Sequence, residues 1–369
     1  MNSIKIVGGG LSGCLLMAAL KHKWPELEVT LCERSSSLSD HQTWSFHAGD
    51  VPPSCWAWLA PLVSKSWAGY DVHFPCYSRS FTTGYHSIRS QDLVEKIKTN
   101  FSKNISFQTE VQKSDPNFGD YFITAGWNAL ENPKNFGFQK FVGLDLKLKK
   151  PHGLTKPILK DVREPQTDGY RFFYILPFSE TELMIEDTYY SNNSKLDTEF
   201  IKKGILEYAE KNKWDVENVL RQESGSLPLD LYTPKPQHSL PLALGAAANL
   251  AHPVTGYTFP SIIRQIQCVI ESDQADIELW KKRLDIENKK IRSSFGFYCF
   301  LNRMMFGAAT AEKRYIILQR FYTLSDGLIE RFYGGRTRFS DQIRILMGKP
   351  PVPILSALKQ IPSGPKPSH

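Results

Sequence analysis

The chain has 369 residues, 41% hydrophobic and 22% charged, a balance that excludes wholesale disorder; at roughly 150 residues per domain it holds about two domains. Lys and Arg outnumber Asp and Glu by 45 to 38, and the net +7 suits an anionic cofactor or an anionic lipid surface but is too small to argue for nucleic acid. The six cysteines show no paired spacing, which argues against a disulfide framework or a zinc site and fits a reducing cytoplasm.

The first 35 residues read as a βαβ unit. Ile4 to Val7 is a short apolar strand, and Leu11 to Lys23 is helical, with Leu15, Leu16, Ala19 and Leu20 at helical spacing. Pro25 ends that helix, and Glu28 to Cys32 alternates as a second strand. Residues 35–53 are polar and loop-like, whereas 55–85 are rich in Trp, Tyr and Phe. Ser90 is the expected N-cap of a helix over 91–100. Residues 105–126 are expected to return to the first sheet, and 141–190 alternate as long antiparallel strands. Two helices are expected around 197–213, then a strand, a Gly-rich turn near 245 and a helix from about Ser261. Beyond 276 the pattern is helical, punctuated by proline-rich pieces at 349–353 and 362–367, with a disordered tail expected. The chain opens directly into a strand, so no signal peptide is expected, and no apolar run reaches the roughly 18 residues of a membrane span.

Gly8-Gly9-Gly10-Leu11-Ser12-Gly13 satisfies G-x-G-x-x-G between a strand and a helix, and the acid Glu33 closes the second strand. Gly8 allows the tight turn, Gly10 lets the backbone approach a pyrophosphate, and Gly13 lets the helix pack on the strand. The helix N-terminus offers free N–H groups and partial positive charge to phosphates. Glu33 would bind a ribose diol, and Ser12 and Arg34 complete the expected contacts of this half. The motif alone does not separate FAD from NAD. Its position at the start of a long chain, with a second Gly-rich turn near Gly245, favours FAD.

Several further segments together resemble the bacterial lycopene β-cyclases, a flavoprotein family. They are Thr43-Trp44-Ser45-Phe46-His47, Gly169-Tyr170-Arg171-Phe172, Ile185-Glu186-Asp187-Thr188, His252-Pro253-Val254-Thr255-Gly256-Tyr257, Glu330-Arg331-Phe332-Tyr333 and Gly348-Lys349-Pro350-Pro351-Val352-Pro353. The chain departs from the family pattern at Gln42, at Thr124-Ala125-Gly126-Trp127 and at Gly245-Ala246, and the Thr124 change removes an acid from that position. The resemblance implies an α/β (α+β) fold similar to the hydroxylase-like flavoproteins. A Rossmann-like FAD-binding domain would comprise 1–70, 86–135 and 221–290. An antiparallel-sheet substrate domain would comprise 71–85 and 136–220, and a helical part would run over 291–369. It also implies reduced FAD, NAD(P)H as reductant, and a non-redox isomerisation of lycopene through γ-carotene to β-carotene.

Such a cyclisation starts with a proton on an alkene, a very weak base, so the donor must be a neutral acid in a dry pocket. Glu186 is the expected donor, because burial disfavours its charged form. Asp187, its partner in the acidic pair, points to the opposite face of a strand and is expected to bond backbone or an Arg. Trp44, Phe46, His47, Tyr174, Tyr257 and Phe259 are expected around the substrate or its cation. Gly245 to Pro260 is expected to pass the flavin ring, with Pro253 stiffening the turn and Gly256 permitting close approach. His252 reads either as a flavin neighbour or proton acceptor, or as a merely hydrogen-bonded histidine. No metal motif and no nucleophile motif is present in the sequence. Residues 293–338 carry Phe, Tyr, Leu and Met beside seven basic and three acidic side chains, which suggests peripheral docking on the inner face of the cytoplasmic membrane. The other readings are an FAD-dependent monooxygenase or reductase of an apolar substrate, and a flavin-containing carotenoid carrier.

Overall fold

Residues 3–125, 133–235, 240 and 242–347 are described by a computed structural model. In chain order the elements are β1 (Ser3–Val7), α1 (Leu11–Lys23), β2 (Glu28–Cys32), β3 (Thr43–His47), α2 (Trp56–Leu59), β4 (Lys65–Trp67), β5 (Tyr70–Phe74), β6 (Tyr77–Phe81), β7 (Tyr85–Arg89), α3 (Ser90–Phe101), β8 (Ile105–Ser106) and β9 (Phe122–Ile123). Then come β10 (Phe136–Leu148), β11 (Ile158–Asp161), β12 (Tyr170–Pro177), β13 (Glu182–Ser191), α4 (Thr198–Lys211), β14 (Val216–Asp230), α5 (Phe259–Ile270), α6 (Ile277–Arg292), α7 (Phe295–Arg303), α8 (Arg314–Phe321), α9 (Asp326–Tyr333) and α10 (Phe339–Leu346).

The opening βαβ unit becomes a parallel sheet in the order β8-β2-β1-β9, with α1 and α5 packed together against it. Parallel strands of this kind are covered on their faces, which is why β1 and β2 are short and apolar and why Leu15, Leu16, Leu20 and Ile263 are fully buried. The alternation over 141–190 becomes the centre of a seven-stranded sheet, β14-β10-β13-β12-β11-β5-β6. It is antiparallel from β14 to β11, and β11 pairs parallel with β5. β14 carries this sheet past residue 220, to Asp230. β3, β7 and β4 form a third, three-stranded sheet in the order β3-β7-β4.

Period-two alternation gives the large sheet two different faces. One buries Val142, Leu144, Phe173, Ile175 and Ile185 against Ile201 and Ile205 of α4. The other carries Phe172, Met184 and Tyr190 toward the C-terminal helices. Register then fixes which side chains meet. Gly143 lies opposite Glu186 on one side and opposite Glu223 on the other, and Glu186 lies opposite Tyr174.

Three local expectations are corrected. The two helices around 197–213 are a single helix, α4. Its Gly204 does not break it but brings the backbone close to the Arg171 and Asp187 side chains, which a Cβ there would approach to 3.2 and 3.5 Å. Ser90 does not cap α3; its hydroxyl accepts the Gln42 N–H at 2.8 Å and ties the helix start to the loop before β3. The apolar side chains of 293–338 are largely interior: Phe295, Tyr298, Met305, Phe321, Leu328, Ile329 and Phe332 are buried. Exposed apolar side chains gather instead on and just after α10, at Phe339, Ile343, Leu346 and Met347. The Gly126-Trp127 step and the proline-rich pieces at 349–353 and 362–367 lie outside the described residues.

Candidate functional site

The glycine turn between β1 and α1 has the geometry that close phosphate approach requires. Gly8 has φ +111°, a conformation that L side chains avoid. A Cβ on Gly13 would stand 2.0 Å from the Gly8 carbonyl, so only glycine lets α1 start there. A Cβ on Gly10 would meet nothing within 4 Å, so this backbone faces open space at the helix N-terminus. Glu33 folds back onto the turn and accepts the Gly9 N–H at 2.8 Å and the Ser35 N–H at 2.9 Å. A small cavity of about 200 Å³ lies between Gly9, Gly10, Glu33 and Ser39.

That small cavity adjoins a larger one of about 660 Å³, and Ser39 and His41 line both. The larger cavity begins at Leu11, Ala246 and the start of α5, and ends on the seven-stranded sheet at Phe172, Glu186 and Tyr190. One end therefore fits the anionic half of a dinucleotide, and the far end is a wall of rings around one carboxyl. Gly245 (φ +55°) and Gly256 (φ +64°) form the turns on its flank.

Glu186 lies on this wall because β13 alternates: Met184 and Glu186 face the cavity while Ile185 and Asp187 face α4. Burial pushes the Glu186 carboxyl up to about 7, against a hydrogen bond from the Thr188 hydroxyl and the nearby Lys160 cation. Lys160, on β11, is pushed the other way: burial lowers it to about 7, and Glu186 partly restores it. Its ammonium stands 3.3 Å from the centre of the Phe172 ring. A carboxyl so placed can hold a proton at neutral pH and release it inside an apolar space.

The family model described as lycopene cyclase protein matches residues 3–116 and 121–359. The chain belongs to the lycopene cyclase family. It is 36% identical to the lycopene beta-cyclase of Pantoea ananas over 96% of this chain and 97% of that protein. The corresponding enzyme of Pseudescherichia vulneris is 35% identical over 96% and 95%, and that of a Paracoccus species 33% over 99% and 98%. Among solved structures the fold is similar to a flavin-dependent brominase (TM-score 0.58, 13% identity, 90% of this chain and 93% of that one). It is also similar to a tryptophan 6-halogenase from Streptomyces toxytricini (TM-score 0.56, 14% identity, 98% and 95%). A geranylgeranyl bacteriochlorophyll reductase-like protein from Thermoplasma acidophilum gives a TM-score of 0.55 at 13% identity, covering 94% and 96%. These likenesses show a shared mixed α/β architecture.

Within this lycopene cyclase fold, the cavity gathers many of the residues expected around the substrate and leaves others off its walls. Trp44, His47, Tyr174, Gly256, Tyr257 and Phe259 line it with Glu186. His47 is packed among Tyr70, Tyr85 and Tyr333, and burial, then His86, pushes it down to about 3, so it is neutral. The Tyr257 hydroxyl donates to buried Asp50 at 2.7 Å, and Tyr174 shares a 2.9 Å hydrogen bond with Tyr85.

Phe46 does not line the cavity; it is fully buried and stacked on Phe259 at 4.0 Å between ring centres. His252 is also outside it, packed 4.1 Å from Tyr298, with Nδ1 accepting the Val254 N–H. Burial holds His252 down to about 3, so it is neutral, and its ring lies off the cavity wall. Arg34 is exposed beside the small cavity and is not among the residues lining it. Pro253 lies under α7, where its carbonyl accepts from Asn302 at 2.7 Å. Asp187 lies where strand alternation puts it: it is fully buried on the opposite face, held by Arg171 at 2.7–3.2 Å and by the Tyr189 hydroxyl at 3.0 Å. The charged cavity residues Lys160 and Glu223 were not anticipated. The signal for Glu223 was the Arg221-x-Glu223 alternation, which places both on one face once that stretch is read as a strand.

Proposed function

We propose that this chain is a lycopene β-cyclase that binds FAD, needs it reduced with NAD(P)H as electron source, and converts lycopene through γ-carotene to β-carotene. The observation that carries this reading is Glu186: a carboxyl able to stay protonated at neutral pH, on the ring-lined wall of a cavity whose other end is the glycine turn. Glu186 gives its proton to the terminal trisubstituted alkene of a ψ end group. The tertiary cation so formed is attacked by the neighbouring alkene, and a ring proton is lost to leave the β double bond. The proton gained equals the proton lost, so no oxidant is consumed.

Gly8, Gly10, Ser12, Gly13 and Glu33 would hold the adenosine and pyrophosphate half of FAD, with Gly245, Gly256 and Tyr257 beside its ring. When bound, the reduced cofactor would supply electron density that favours a cation, in a site where low dielectric strengthens the effect. Trp44, Tyr174 and Tyr257 exclude water from the cation and contribute cation–π stabilisation of ~0.5–2 kcal/mol each. Expression in a lycopene-accumulating bacterium tests the assignment: the pigment should turn from red to orange-yellow, with a product of unchanged mass. A gain of oxygen would identify a monooxygenase, and a gain of hydrogen a reductase.

A C40 hydrocarbon reaches a protein from a bilayer, and no helix among the described residues is long and apolar enough to cross one. We infer reversible docking through α10, where Phe339, 77% exposed, Ile343, Leu346 and Met347 form one apolar stripe flanked by exposed Arg338 and Arg344. The arginines match an anionic lipid surface. Joint Phe339→Ser and Ile343→Ser replacement should weaken liposome binding roughly tenfold or more. Phe200→Ser, at an exposed position of α4, should change nothing. Equal flotation of all three proteins with anionic liposomes would refute this docking face.

A further inference from the structure

A second carboxyl faces the cavity beside Glu186, and the reaction as described leaves it without a role. Glu223 and Glu186 are both register partners of Gly143, one from each neighbouring strand. Gly143 has no side chain to separate them. The Glu223 side chain leans over that gap: a Cβ on Gly143 would stand 3.0 Å from its Cγ and 3.3 Å from its Oε1. The other carboxylate oxygen is held by Arg221 at 3.0 Å, and Arg221 also grips Asp145 at 2.8 Å. Glu223 and Arg221 are both more than nine-tenths buried.

The charges of this cluster do not balance without a proton. Glu186, Glu223 and Asp145 are three acids; Lys160 and Arg221 are two cations. A single proton on the carboxyls makes the buried group neutral, which is the state a low-dielectric site favours. Asp145 is tied to Arg221 and lies off the cavity, so the proton belongs to the Glu186 and Glu223 pair. The remaining ionisable neighbours do not supply it. Tyr174 and Tyr190 are phenols held well above neutrality by burial, and Asp187 is satisfied by Arg171 behind the sheet. His41, Tyr322 and Tyr333 close the cavity from its other walls.

We propose that Glu223 is the proton partner of Glu186: the two carboxyls share one proton across Gly143, and Glu223 takes up the proton that the closing ring gives off. This rests on the cyclase reading above. In the forward step the Glu186 O–H bond breaks and a C–H bond forms at the terminal alkene. In the closing step the ring C–H bond breaks, its electron pair becomes the ring double bond, and an O–H bond forms on Glu223. Transfer of that proton from Glu223 back to Glu186 restores the starting state. Burial supports the pairing: it raises both carboxyls, Glu223 against the pull of Arg221 and with Glu186 itself adding to the rise, so neither holds its charge easily. Like charges held close cannot both ionise easily, so the two titrate as a unit.

The test uses the purified full-length holoprotein and has two readouts. The first is an infrared pH titration of the protonated carboxyl band, which needs no substrate. The second is the pH profile of cyclisation. In Glu223→Gln, which keeps the shape and an acceptor for Arg221, the like-charge neighbour of Glu186 is gone. The carboxyl band and the alkaline fall of activity should therefore both move to lower pH, by about one unit, and the rate should drop on the order of 100-fold. Gly143→Ala, which pushes Glu223 away without removing it, should move the band in the same direction. An unmoved band in both variants overturns the shared proton, even if activity is lost. An unchanged rate in Glu223→Gln overturns the uptake of the ring proton. A moved band in a protein that leaves lycopene unchanged would sink the cyclase reading and leave the shared proton standing.

Discussion

Glu186→Gln should fold, retain flavin and fail to cyclise lycopene, with a rate lower by ~10²–10⁴-fold. Glutamine preserves the volume and can still accept the Thr188 hydroxyl, so the wall of the cavity keeps its shape. What is lost is the carboxyl proton proposed to reach the alkene. Pigment analysis in a lycopene-accumulating host would show red lycopene with the variant and β-carotene with the parent. Full activity in Glu186→Gln would remove Glu186 from its role while leaving the family membership intact. The sign of the pH dependence follows from the same carboxyl. Its protonated form is the active one, and its pKa is about 7, so activity should fall as pH rises through that value. Stability responds in the same direction. The folded carboxyl holds its proton to about 7 against 4.5 for a free one, so the unfolded chain releases first and stability declines as pH rises between the two.

The parts of this site that were legible in the sequence are those set by short-range rules. The glycine spacing and the acid closing β2 place the dinucleotide turn, because turn, helix start and strand end lie within one βαβ unit. The alternation of β13 separates Glu186 from Asp187, because period two is a local property of a strand. What could not be read was register. Glu223 is distant from Glu186 in sequence and meets it only because β10 lies between β13 and β14 and contributes a glycine at the shared position. Lys160 arrives from β11 in the same manner. Phe46 and His252 sit in the expected segments, but which way each side chain points is decided by packing on Phe259 and under α9, far along the chain. The exposed stripe of α10 was missed for the opposite reason. Its apolar residues are few, and the denser aromatic run before it was interior.

Asp187→Ala should destabilise the protein by ~3–5 kcal/mol, because it leaves the Arg171 guanidinium buried beneath α4 without its anion. Against a total stability of ~5–15 kcal/mol, that is a large fraction, and soluble yield should fall with it. The carboxylate receives four hydrogen bonds from Arg171 and Tyr189, and burial pushes it up even so, a sign of how dry the site is. Replacing both partners, Arg171→Leu with Asp187→Leu, removes the orphaned charge along with the pair and should recover most of the lost stability. Thermal melts of the two single variants and the double would show the coupling directly. Activity separates this residue from its neighbour. Per folded molecule, Asp187→Ala should cyclise within a few-fold of the parent, since its carboxyl faces α4 and not the cavity. A folded Asp187→Ala protein as inactive as Glu186→Gln would mean that both acids take part in the chemistry, and that the strand does not hold them on opposite faces during turnover.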